Sequence, residues 1–206
     1  SGVDLSGFSD QQLAEILQYH VINLNILSTD LQAEQSVEAL EGGNLFVTTD
    51  GDVVVNDAAT VVNADIGASN GTIHAIDNVL LPDSYQDVVG VVSKRYNLQS
   101  LEDAVVSAGL ASTLQGDGPF TVFAPTNEAF ANADLTGYNV EDVLTYHVLP
   151  QKVLSGNITS GTQTTVNGED LTINVGNDGS VSLTDQAGNI YNVTTVDLEG
   201  INGVVH

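Results

Sequence analysis

Ile16-Leu-Gln-Tyr-His-Val21 returns as Val143-Leu-Thr-Tyr-His-Val148, with Tyr19 and Tyr146 offset by 127 positions. Two further blocks recur around it. Asp4-Leu-Ser-Gly-Phe8 matches Asp134-Leu-Thr-Gly-Tyr138, and Asn70-Gly-Thr-Ile-His74 matches Asn202-Gly-Val-Val-His206, at offsets of 130 and 132. Loop insertions produce a drift of this size, so the chain reads as two copies of one unit about 130 residues long. Residues 94–130 have no earlier counterpart and Ala75–Pro82 no later one. The expected division is therefore 1–84, the latter part of a first unit, and 85–206, a second unit lacking its last strand. Pro82, which removes a ladder donor, marks the boundary.

Within the repeated hexapeptide, Leu13, Ile16, Leu17 and His20 fall at i, i+3, i+4 and i+7, which predicts a helix over Asp10–His20 with Ser9 or Asp10 as N-cap. Val140, Val143, Leu144 and His147 repeat those steps. Leu98, Leu101, Val105 and Leu110 predict another short helix, closed by Gly109. Elsewhere the period falls to two. Leu45–Thr49 and Val53–Asn56 flank Asp50-Gly-Asp52, and Leu171–Val175 and Ser180–Thr184 flank Gly176-Asn-Asp-Gly179, both hairpin signatures. Strands are also expected at Thr60–Val62, Ile73–Leu81, Phe120–Phe123 and Asn192–Val196. The fold class is α+β.

Charge narrows the functional classes. Three basic residues, Lys94, Arg95 and Lys152, stand against 27 acidic ones, a net charge of −24. Nucleic acid needs a basic footprint that is missing, and an anionic lipid surface would repel the chain. With no Cys there is no disulfide, thiolate zinc site or cysteine nucleophile. No apolar run approaches the roughly 20 residues of a spanning helix, so membrane insertion is not expected. No Met occurs either, so Ser1 is expected to be a processed or excised end.

Phe120-Thr-Val-Phe-Ala-Pro-Thr-Asn-Glu-Ala-Phe130 and Asn70-Gly-Thr-Ile-His-Ala-Ile-Asp-Asn-Val-Leu-Leu-Pro82 resemble the two signature segments of the fasciclin-type (FAS1) domain. Tyr146-His-Val-Leu-Pro150, with Tyr19-His-Val21, is similar to the Tyr-His motif between them. The resemblance implies a β-sandwich wedge decorated with short helices, in extracellular or cell-surface proteins that adhere to matrix or cell-surface proteins or to polysaccharide. It assigns Tyr19, His20, His74, Phe120, Thr121, Val122, Phe123, Pro125, Tyr146 and His147 to structural motifs. Binding is expected through Asn127, Glu128, Asp77 and Tyr146, in or beside the signatures. A carbohydrate-binding module is the alternative, disfavoured because no Trp and few other aromatics are available as sugar platforms. Because each unit is truncated, the first is expected to borrow missing pieces from a neighbouring copy or from cleaved residues, by homotypic or strand-exchange association.

The remaining chemistry is weaker. His20 and His147 lie on apolar stripes, where an imidazole is more readily a hydrogen-bonded core group than a base, and His74 and His206 are read the same way. Gly67-Ala-Ser-Asn-Gly71 satisfies G-x-S-x-G, with His74 and Asp77 nearby, but a nucleophile elbow leads into a helix and a strand is expected here. No catalytic residue and no cofactor are assigned. Asp50 with Asp52, or Asp57 and Asp65, lack the spacing of a calcium loop, which leaves only weak divalent bridging between acidic surfaces. The glycosylation triplets at Asn70, Asn157 and Asn192 matter only in a eukaryotic secretory route. The acidic, Cys-free composition points instead to a secreted or surface protein of a marine bacterium.

Overall fold

A computed structural model describes residues 4–206. The chain forms two compact units, one running to Pro82 and including Ser93–Tyr96, the other made of Asp83–Val92 and Asn97–His206.

The first unit opens with helix α1 (Asp10–Tyr19). Ser9 accepts from the Gln12 amide and the Gln12 side chain returns to the Ser9 amide, a complete capping box. Strands β1 (Glu34–Glu38), β2 (Asn44–Thr48), β3 (Val54–Val55), β4 (Ala59–Ala68) and β5 (Gly71–Ile76) follow as one antiparallel sheet in chain order. Gly51, at φ +93°, supplies the turn between β2 and β3. The expected strand Ile73–Leu81 ends early, at Ile76, because side chains take over from the ladder. Asn78 Oδ1 accepts from the Val79 amide and His20 Nε2 from the Leu80 amide.

Tyr19 organises this unit's core, which also holds Ala39, Leu45, Val47, Val55, Ala59 and Leu80. Its hydroxyl donates to the Asn44 carbonyl at 2.7 Å and accepts from Asn56 Nδ2 at 2.9 Å and Lys94 Nζ at 3.1 Å. Asn56 in turn accepts from the Phe46 amide, in a left-handed conformation that Asn tolerates. Lys94 and Arg95 are both buried, one 5.1 Å above the Tyr19 ring and the other 5.0 Å above Phe46. Ser93–Tyr96 thus packs as part of this unit. Replacing Tyr19 by Phe keeps the packing but strands buried donors, and urea unfolding of this unit is expected to show a loss of about 2–3 kcal/mol; an unchanged midpoint would remove Tyr19 from this role.

The second unit is built on helices α2 (Val88–Ser93), α3 (Gln99–Ser107), α4 (Ala111–Leu114), α5 (Asn127–Asn132) and α6 (Val140–Tyr146) and strands β6 (Phe120–Val122) to β13. β6, β7 (Val148–Leu149), β12 (Leu198–Gly200) and β13 (Gly203–Val205) form a sheet ordered β12-β13-β6-β7, in which β13 runs parallel to β6. β8 (Gly161–Thr164), β9 (Asp170–Val175), β10 (Val181–Thr184) and β11 (Ile190–Val193) form an antiparallel sheet. Val88-Val-Gly-Val-Val92 has the composition of a strand, yet Val88, Val91 and Val92 are buried at i, i+3 and i+4, and packing overrides propensity.

The two signatures meet in the β6–β13 pairing. Asn202 there accepts from the Val88 amide and donates to the carbonyls of Leu114 and Gly116. A Cβ at Gly203 would collide with the Phe120 carbonyl oxygen and come within 2.8 Å of Val88 Cγ1, whereas one at Gly71, the same motif position in the first unit, meets nothing within 4 Å. Gly203→Ala is therefore expected to cost about 3 kcal/mol in chemical denaturation and Gly71→Ala to be close to neutral. Equal effects would show that this position is not fixed by close approach.

Candidate functional site

The matched histidines are the natural place to look for chemistry, and their hydrogen bonds decide what they can do. Each ends its helix as the C-cap. His20 Nδ1 lies 2.7 Å from the Ile16 carbonyl and His147 Nδ1 2.7 Å from that of Val143, so each ring satisfies a carbonyl that the helix end leaves without an amide partner. His20 Nε2 also accepts from the Leu80 amide at 3.0 Å, which commits both ring nitrogens. Burial holds His147 below the ordinary imidazole value, opposed by its bond to Val143.

His74 and His206 share a second arrangement. Asp65 and Asp197, both at positive φ, donate their backbone N–H to Nδ1 of His74 and His206, and the Nε2 atoms lie 2.9 Å from the carbonyls of Ile26 and Val153. Each Asp carboxylate accepts from the amide and hydroxyl of one serine, Ser28 in the first unit and Ser155 in the second. Serine, aspartate and histidine thus occur together twice, in the wrong order for catalysis. The carboxylate binds the serine hydroxyl, the imidazole hydrogen-bonds only to backbone, with His206 Nδ1 4.0 Å from Asp197 Oδ1, and no imidazole faces the hydroxyl. At Asp197, burial raises the carboxyl, but the Ser155 bonds and the neighbouring His206 outweigh it and leave the group below its usual value.

Other sequence candidates fall mostly into structural roles. Thr121 is fully buried, its hydroxyl donating to the Gln151 carbonyl and accepting from the Val153 amide. Val122 and Phe123 are buried, with Phe123 stacked on His206 at 5.7 Å between centroids; Phe120 and Pro125 are only half-buried. Asn127 accepts from the Ser100 amide at the start of α3, Asp77 from the Thr60 amide, and the Tyr146 hydroxyl donates to the Asp170 carbonyl. Burial, then the carboxylates of Asp185 and Glu169, raise the Tyr146 phenol above its ordinary value. Glu128 is exposed on α5. Ser69 sits in the hairpin turn between β4 and β5 rather than at a strand-to-helix elbow. Asp65, considered above as a calcium ligand, has both oxygens engaged by Ser28; Asp50, Asp52 and Asp57 are exposed, and among the described residues no three His, Asp or Glu side chains converge.

Against known proteins, the Fasciclin domain family matches residues 3–82 and 96–206. This chain belongs to the fasciclin-domain family. It is 36% identical to human periostin over 141 residues, 67% of this chain and 17% of periostin, and 28% identical to pig transforming growth factor-beta-induced protein ig-h3 over 208 residues, 95% of this chain and 29% of that protein. Protein sll1483 of Synechocystis is 37% identical over 136 residues, 60% of this chain and 71% of that protein. The chain thus spans under a third of the two animal relatives. Among solved structures it resembles the FAS1 domain pair of the insect cell adhesion molecule fasciclin I, with a TM-score of 0.60 and 19% identity over 95% of this chain and 78% of that one. The fold is that of a pair of fasciclin domains, α+β with two repeated units.

Two outcomes follow for these fasciclin units. Because His147 is held neutral in the folded state, the unfolded chain binds the extra proton first. Stability is complete above the unfolded value near 6.5 and falls as pH drops from there toward the lower folded value. Thermal melts from pH 7.5 to 5 are expected to show this decline in the parent and not in His147→Phe; a decline of equal size in both would assign it elsewhere. At position 197, Asn keeps both the left-handed preference and an acceptor, so Asp197→Asn is expected to lose about 1 kcal/mol and Asp197→Ala about 2–3, read by denaturant midpoint.

Proposed function

We propose that this chain is a non-enzymatic adhesion or matrix-interaction module of a secreted or cell-surface protein. The observation that carries the reading is the fate of its histidines. His20, His74 and His206 have both ring nitrogens committed to backbone groups and His147 Nδ1 is bound to the Val143 carbonyl, and among the described residues no three His, Asp or Glu side chains form a metal-binding set. Membership of the fasciclin family and the likeness to a domain pair from a cell adhesion molecule support the same conclusion. Tandem units raise effective concentration, so each contact with a matrix or surface partner can be weak. Of the residues expected to bind, Glu128 is the best placed. It is exposed, whereas Asn127, Asp77 and Tyr146 spend hydrogen bonds on the fold.

Immobilised protein is expected to hold cells against flow, with Glu128→Ala reducing attachment several-fold at unchanged melting temperature and Ser69→Ala having no effect. Sharp, saturable recognition of one oligosaccharide on a glycan array, without cell attachment, would instead establish a carbohydrate-binding module.

A further inference from the structure

An asparagine followed by glycine is open to attack on its own side chain, because the glycine carries no Cβ to keep its amide nitrogen away from the asparagine Cγ. The chain holds three such pairs, Asn70-Gly71, Asn167-Gly168 and Asn202-Gly203. The fold treats them differently. Asn202 Oδ1 accepts from the Val88 amide and its Nδ2 donates to the Leu114 and Gly116 carbonyls at 2.8 and 2.7 Å, so the side chain is held from both ends. Asn167 Oδ1 accepts from the Thr165 hydroxyl and the Glu169 amide, and its Nδ2 donates to the Asp142 carbonyl. The Gly168 nitrogen that would attack it is itself engaged, donating to the Thr165 carbonyl at 3.0 Å. Asn70 has none of these restraints. It is exposed in the turn that joins β4 to β5, its side chain makes no hydrogen bond among the described residues, and a Cβ on Gly71 would meet nothing within 4 Å.

We propose that Asn70 is a site of spontaneous deamidation in the folded protein, with water as the co-reactant. The Gly71 nitrogen bonds to Asn70 Cγ, the Cγ–Nδ2 bond breaks, and ammonia leaves with the proton of the Gly71 amide. Water then opens the cyclic imide at either carbonyl, giving aspartate from one and isoaspartate from the other. Both products add a carboxylate to a chain already at −24. Isoaspartate also routes the main chain through the former side chain, which lengthens a turn whose register sets Ala68 opposite Gly71. The pairing of Ile66 with Ile73 behind the turn then loosens, and the converted fraction records the age of the molecule.

The test incubates the 206-residue protein at pH 8.5, in native buffer and in guanidinium chloride, and locates the mass gain of amide-to-acid conversion by fragmentation mass spectrometry. In native buffer Asn70 is expected to convert at close to its unfolded rate, while Asn167 and Asn202 convert severalfold more slowly than they do unfolded. Gly71→Ala should slow conversion of Asn70 severalfold and leave the other two sites unchanged. Amides between Ile66 and Ile73 should exchange faster in the isoaspartate fraction, and unchanged exchange would overturn the loosening. The site itself would be overturned by native conversion of Asn70 no faster than that of Asn167 or Asn202, or severalfold below its own unfolded rate. A Gly71→Ala protein converting at the parent's rate would do the same, since the attacking nitrogen would then be another.

Discussion

A helix must end with carbonyls that no amide of its own can reach, and both units solve this with the residue that follows Tyr19 or Tyr146. His20 and His147 turn back to the carbonyl four residues earlier at 2.7 Å, at the point where the helix stops. The preceding tyrosine enters the sheet-side core and donates to a strand carbonyl, Asn44 in one unit and Asp170 in the other. Helix end and sheet are therefore tied by two adjacent side chains, the histidine closing the helix and the tyrosine reaching a strand. A helix one residue longer or shorter would point the ring and the phenol at the wrong layers.

The second signature shows what such a motif is for when its neighbours are present. In the second unit β13 pairs with β6, Asn202 clips two helical segments, and Gly203 allows close approach. In the first unit the same Asn-Gly pair is a hairpin turn with open space around Gly71. The Ser-Asp-His latch, by contrast, keeps the same contacts in both units. The latch joins a strand to a distant loop by backbone and carboxylate bonds, which leaves its imidazole without a catalytic task.

Much of this was legible in the sequence, for identifiable reasons. α1 and α6 announce themselves by a 3.6-residue stripe, and the β2–β3 and β9–β10 hairpins by Asp or Asn with Gly. β1 was not anticipated, because Glu34-Gln-Ser-Val-Glu38 alternates polar with polar and declares its single half-apolar face only weakly. α2 was not anticipated either, since its valines favour a strand until burial of Val88, Val91 and Val92 on one helix face decides otherwise. The latch escaped because its contacts span 37 and 42 residues. Its signal was nevertheless present. Ser28 and Ser155 stand at the same offset as the Tyr-His pair, and Asp65 and Asp197 at that of His74 and His206.

The fate of the three cations reaches beyond the fold. Lys94 and Arg95 are consumed inside the first unit, and Lys152 lies 2.8 Å from Glu199, so the charge facing solvent is almost entirely carboxylate. Molecules crowded on one support then space themselves by their ion atmospheres, over about 30 Å in dilute buffer and about 3 Å in molar brine. Salinity, acting before any partner is met, sets how densely such a layer can form.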